Sequence, residues 1–156
     1  MNDNIKDLMT ADLGAAVLAQ RAAGNILACN GDTEKYGLCL TPGQARALVQ
    51  TETETLKKTG RIELGQGIIC RLISRFADSP YISPQNYEQT LHELTGLFYD
   101  FKNETCDAVS DNELADFMKE SYNNYCGGSI RLLEQQLQQL ARHIRSGGTA
   151  KNFKTE

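Results

Sequence analysis

The stretch SPQNYEQTLHELTGLFYDFKNETCDA, residues 83–108, decides the fold. Its apolar residues Tyr87, Leu91, Leu94, Phe98 and Phe101 advance in steps of 4, 3, 4 and 3, with Leu97 alongside. That spacing lays one apolar seam along a helix, and such a seam has to be covered by other helices. Ser83 stands at the N-cap and Pro84 at the first helical position, where proline has no intrahelical N–H to lose. A helix over 84–108 is expected, the longest in the chain.

The flanks read the same way. Downstream, Ser110 with Glu113 makes a capping box for a helix carrying Leu114, Phe117, Met118 and Tyr122. Gly127-Gly128-Ser129 breaks the chain, and a last helix follows with Ile130, Leu133, Leu137, Leu140 and Ile144. Its final turn holds Arg142, His143 and Arg145, where the helix dipole favours cations. Upstream, apolar residues at 68, 69, 72, 73, 76 and 77 mark a short central helix that Asp78-Ser79-Pro80 ends. Before it, Thr41, Pro42 and Gln44 spell a capped helix start, and Gly60 after Lys57 and Lys58 spells its stop. Arg61–Leu64 reads as extended. Residues 11–23 make a first helix weakened by Gly14, while Asn30, Gly31 and Asp32 mark a turn before one helical turn at Thr33–Tyr36. The fold expected is all-α, five or six helices in an orthogonal or bundle-like array, with one short extended segment near 61–64. Short connections make neighbouring helices antiparallel. Residues 1–146 are expected to form a single helical domain and 147–156 a flexible tail.

A chain of 156 residues is the size of one ordinary domain and buries enough surface to fold without staples. Five cysteines, an odd number, occur with no C-x-x-C spacing, and no signal peptide or long apolar run is visible. A reducing cytoplasm and five free thiols are therefore expected, the thiols serving as small buried hydrophobes. The charge is unevenly placed. Residues 1–77 carry nine basic and eight acidic side chains, residues 78–120 two and ten, residues 121–156 five and two, which gives the net −4. An acidic middle with no basic run argues against a nucleic-acid backbone as partner. Residues 111–145 form a helix, a break and a helix, but the break is longer than the tight turn of a DNA-binding motif. No membrane segment is expected.

Several constellations bear on chemistry. Gly65-Gln66-Gly67 before a helix has the look of an anion-binding turn, yet it lacks a third glycine and a βαβ setting. At 100° per residue, Glu93, Asp100, Glu104 and Asp107 share one side of the long helix, well away from its apolar seam. Clustered like charges cost a few tenths of a kcal/mol each, so the stripe is either a plain solvated face or a site for a cation or basic partner. His92 with Glu88 is E-x-x-x-H, a spacing of neither di-iron bundles nor zinc proteases. Cys126 precedes a helix start, where a thiolate is favoured, but His143 lies about 25 Å further along the same helix. Gly60, Arg61 and Glu63 bracket a charged pair that either clamps the fold or faces a cleft. The surface residues singled out are therefore Glu93, Asp100, Glu104, Gly60, Arg61 and Glu63. No catalytic residue, metal ligand or cofactor is assigned.

Tyr36-Gly37-Leu38, Gly60-Arg61 with Glu63, Asp78-Ser79-Pro80-Tyr81-Ile82, and Leu97-Phe98-Tyr99 with Phe101-Lys102-Asn103-Glu104-Thr105 resemble segments of a family of small helical proteins of unknown function from Gram-positive, clostridia-like bacteria. They span roughly 36–145. The resemblance implies a bacterial cytoplasmic origin and supplies no catalytic residue. The function expected is a non-enzymatic cytoplasmic protein–protein interaction module, self-associating through the seams at 84–108 and 130–145. A small-molecule or metal-binding protein is the alternative.

Overall fold

The computed structural model describes residues 2–62 and 67–153, with side chains from Leu13 onward. It is all-α, with no strand among the described residues. The elements are α1 (Asn2–Ala28), α2 (Asn30–Thr33) running into a 3-10 turn (Glu34–Tyr36), α3 (Pro42–Thr59), α4 (Ile69–Phe76), α5 (Tyr87–Glu104), α6 (Asp111–Asn123) and α7 (Ile130–Arg145). Helix α5 lies centrally, against α3, α4 and α7, while α6 bridges α4 and α7 and α1 lies along α3. The expected seam is realised: Tyr87, Leu91, Leu94, Phe98 and Phe101 are buried, and Tyr99 joins them. One hydrophobic cluster collects these with Leu48, Leu72, Phe76, Leu114, Tyr122 and Leu137. The Phe76 and Tyr81 rings both meet Tyr122 edge-on, at 5.5 and 6.1 Å between centroids.

Local signals set several helix ends as read. Thr41 accepts from the Gln44 N–H at 3.1 Å, and the Gln44 side chain accepts from the Thr41 N–H at 2.9 Å. Gly60 closes α3 in the left-handed region at φ 67°, where a side chain would be strained. Ser110 and Ser129 cap α6 and α7 through the N–H groups of Glu113 and Leu132.

Other boundaries differ from the sequence reading. Helix α1 runs through Gly14 and Gly24 and starts at Asn2 rather than near residue 11. Helix α5 begins at Tyr87, three residues after Pro84. The cause is Asn86, whose Oδ1 accepts from the Ser83 N–H at 2.9 Å and whose Nδ2 donates to the Tyr81 carbonyl at 3.0 Å, fixing 83–86 as a turn. It ends at Glu104 rather than 108, because Cys106 and Asp107 turn into the left-handed region at φ 52° and 60°. After the last helix the chain folds back. Asn152 Oδ1 accepts from the Thr149 N–H at 2.8 Å, and the Phe153 ring sits 5.9 Å from Phe117 and 5.6 Å from His143. Arg61 and Ile62 are not helical, and the rest of the segment expected to be extended, Glu63 and Leu64, lies outside the described residues.

Candidate functional site

Of the acidic stripe, the structure brings Asp100 and Glu104 together in a shallow groove between α5 and α7. Leu97 and Phe101 form its α5 wall, and Glu134, Leu137 and Gln138 its α7 wall, around about 50 Å³ of space. Glu134 is a third carboxylate that helix periodicity within α5 had no means to reveal. Arg145 comes to 4.0 Å of Glu104 and balances part of this charge. Glu93 stays exposed two turns upstream, where Gln89 donates to it at 3.2 Å. Asp107 leaves the stripe altogether, because the helix ends before it.

Asp107 instead meets Arg61. The guanidinium donates to both carboxylate oxygens, 46 residues away in sequence, with Nη1 to Oδ2 at 3.2 Å. The Arg61 guanidinium, the largest influence, and the Lys102 ammonium hold the Asp107 carboxyl below its usual range, against a smaller opposing push from burial. Lys102 is itself buried. Its Nζ donates to the Val109 carbonyl at 2.6 Å, pairs with Asp111 at 2.8 Å and lies 3.6 Å from Asp107. Arg71 reaches Asp111 at 3.6 Å. Charges thus alternate Arg61, Asp107, Lys102, Asp111, Arg71, tying the end of α3, the α5–α6 connection and α4 into one lattice. Arg61 and Gly60 belong to a clamp on the fold; their expected companion Glu63 lies outside the described residues.

His92 bridges two helices. Its Nδ1 is 2.6 Å from the Thr51 hydroxyl of α3, and its Nε2 is 3.1 Å from Glu88 one turn back on α5. A hydroxyl, an imidazole and a carboxylate in series have the composition of a nucleophilic triad. Here they fill the α3–α5 seam, and none of the three lines the α5–α7 groove or the cavity at Cys29 and Cys70. The arrangement fixes helix packing. Thr51 was invisible in the sequence, being 41 residues from its partner.

The glycine turn expected to cradle an anion is partly outside the described residues, namely Gly65 and Gln66. At Gly67 an added Cβ would run into the Glu52 carboxylate. The protein's own negative charge occupies that place, which opposes an anion. Cys126 is buried, and burial raises its thiol pKa, so the expected helix-terminus activation is reversed.

The thiols divide in a way composition did not anticipate. Only Cys126 is a buried hydrophobe; Cys39 and Cys106 are exposed, and Cys29 and Cys70 are half-buried. Cys29 and Cys70 line the same cavity of about 280 Å³, with Asp32, Lys35, Tyr36 and Ser74 among its walls. Beside it the Tyr87 hydroxyl is buried with no hydrogen-bond partner among the described residues, and the nearby Thr33 hydroxyl donates to the Leu38 carbonyl at 2.6 Å. Burial pushes that phenol up to about 12.

The last feature is a surface. From Leu13 through Arg21 every residue of α1 is exposed, including Leu13 at 66%, Val17 at 52% and Leu18 at 64%. Among the described side chains of α1, the first buried ones are Ala23 and Ile26, which enter the core. No helix among the described residues is long and apolar enough to cross a membrane, and no group of His, Cys, Asp and Glu among them is arranged to hold a metal ion.

No curated protein and no solved structure matches the chain. Residues 25–150, which contain all of the buried core but Ala23, the charge lattice and the cavity but not the exposed stretch Leu13–Arg21 of α1, match the family of unknown function DUF6323, and the chain belongs to that family.

Proposed function

We propose that the protein is a non-enzymatic cytoplasmic interaction module that associates with a second copy of itself through the exposed stretch of α1 from Leu13 to Arg21. The observation that carries this reading is the exposure of Leu13, Val17 and Leu18 on a helix that leaves the core at Ala23. A helical segment without tertiary packing is marginal in water, since most helix stability comes from burying an apolar face. Leu13 to Ala19 contains five aliphatic side chains besides Leu13 and Gly14 and no charge. Such a surface favours an apolar partner face. A second α1 offers that face, and a twofold pairing needs only one self-complementary patch. The seams of α5 and α7, expected from sequence to associate, are consumed by the core; α1 takes over that role in the proposal.

Sedimentation of the full chain tests it. A dimer is expected, and Leu13→Glu combined with Leu18→Glu is expected to yield a folded monomer of unchanged helical content in the core. A wild-type chain that stays monomeric at every accessible concentration overturns the reading. The alternative, a small-molecule protein, is favoured by the polar-walled cavity at Cys29 and Cys70, and a ligand-dependent rise in melting temperature would support it.

A further inference from the structure

The cavity between α1, α2 and α4 holds two thiols that the dimer proposal does not use. Cys29 sits at the junction of α1 and α2, and Cys70 in the first turn of α4, 41 positions later in the sequence. Both side chains line the same cavity of about 280 Å³, and the Cys29 thiol donates to the Asn25 carbonyl of its own helix at 3.5 Å. Both are half-buried, so solvent reaches them without unfolding. The remaining walls include Asp32, Lys35 and Ser74. These are polar enough to admit water and solutes of similar size. Cys39 is exposed and lines no part of this cavity, and Cys106 and Cys126 lie on the far side of the sequence, at the α5–α6 connection and before α7.

We propose that Cys29 and Cys70 form an oxidation site for hydrogen peroxide, closing to an intramolecular disulfide that staples the end of α1 to α4. One thiolate attacks a peroxide oxygen, the O–O bond breaks, and the products are a sulfenic acid and water. The second thiol attacks the sulfenic sulfur, the S–S bond forms, and the oxygen leaves as a second water. The two thiols lose two electrons and two protons, and the peroxide is reduced to two waters. A dithiol reductant reverses the step by exchange.

The division of labour follows from surroundings. Burial, the neighbouring Cys29 and the Glu52 carboxylate push the Cys70 thiol up to about 12. Cys70 is thus the poorer first attacker and serves as the resolving thiol. Cys29 takes the oxygen first. The bridge acts on a helix that has functional weight in the dimer proposal, because α1 carries the exposed Leu13, Val17 and Leu18. Stapling its base to α4 fixes the angle at which the stretch from Leu13 to Arg21 leaves the core.

The test treats the fully reduced full chain with hydrogen peroxide and maps peptides without reduction. The expected result is a Cys29–Cys70 cross-linked peptide, an intact mass lower by two hydrogens, and an unfolding midpoint raised relative to the reduced chain. Cys70→Ser is expected to abolish the cross-link and leave a sulfenic acid at Cys29 that dimedone traps. Cys29→Ser, checked by its helical circular dichroism, is expected to lose the cross-link and most trapping at position 70. A Cys29–Cys39 peptide, a linkage between chains, or sulfenic acid at Cys106 with Cys29 and Cys70 still reduced would overturn the proposal. These readouts are independent of whether the chain dimerises.

Discussion

Arg61 and Asp107 grip one another through two hydrogen bonds across 46 residues of sequence, at the point where the chain turns away after α5. Asp107 has a left-handed backbone, φ 60°, just where the guanidinium meets it. The Arg61 guanidinium also stands 5.9 Å over the Tyr99 ring. Ion pair, ring contact and reversed backbone reinforce one another. They convert a residue that periodicity assigns to a helix into the anchor of a turn.

Replacing Asp107 by Asn isolates the charge, because asparagine tolerates the left-handed region. Its side chain is 52% exposed, so solvent screens the pair. The expected loss is about 0.5–1 kcal/mol at neutral pH. The Asp107 carboxyl is lowered in the folded state. The contribution is therefore present above the ordinary carboxylate pKa of about 4 and lost as pH falls below it. Urea unfolding of both proteins at neutral and at acid pH checks this: the gap between them should close at the acid end. A constant gap would assign the effect to something other than the ion pair.

Lys102 is the costlier member to remove. Its amine is the donor to the buried Val109 carbonyl and the partner of Asp111. Lys102→Met keeps the aliphatic stem but leaves that carbonyl without its donor. Asp111 is 41% exposed and rehydrates, which limits the damage. A destabilisation of about 2 kcal/mol is expected. The urea midpoint reads it, and a change under about 0.5 kcal/mol would show that water replaces the amine.

What could be read ahead of the structure was local, and what escaped was long-range. The α3 start was legible because Thr41 and Gln44 answer each other within one turn. The α5 seam was legible because its period is fixed by the helix itself. Its ends were not: Asn86 is held by Tyr81 and Asp107 by Arg61, neither of which periodicity connects to them. The same division runs through the site. That Asp100 and Glu104 share a face follows from helical geometry, but Glu134 arrives from α7. Cys29 and Cys70 belong to elements that only tertiary packing brings together, and no spacing rule links them.

Gly128 separates backbone strain from steric crowding. It closes the turn before α7 at φ 83°, its N–H donating to the Tyr122 carbonyl at 2.9 Å, and an added Cβ would meet the Tyr81 ring. The clash falls on Cβ and Cγ at the base of the Tyr81 side chain, whose ring leans edge-on against Tyr122, so turning the ring alone does not relieve it. Gly127 has a similar backbone, φ 56°, with open space around it. Gly127→Ala is expected to cost about 1 kcal/mol from the left-handed backbone alone. Gly128→Ala is expected to cost about 1–3 kcal/mol more, the range for forcing extra volume into packed surroundings. Thermal unfolding of the pair measures the difference, and equal costs would mean that Tyr81 swings aside freely.

Thiol accessibility supplies the last expectation. A soluble aromatic disulfide reagent should label Cys39 and Cys106 first in the reduced, folded chain, because both are exposed. Cys70 should follow slowly, its thiol pushed up to about 12, since the thiolate is the reacting form. Cys126 is 3% exposed and its thiol is also raised by burial, so it should react only when the chain unfolds. Its labelling rate under native conditions then reports the opening of the core around Tyr122 and α7 rather than any local motion. Denaturant well below the midpoint should leave the rate for Cys39 unchanged while accelerating that for Cys126. If Cys126 instead labels alongside Cys39 in the native protein, the turn at Gly127-Gly128 opens independently of the core, and the packing of Tyr81 on Tyr122 is looser than its geometry implies.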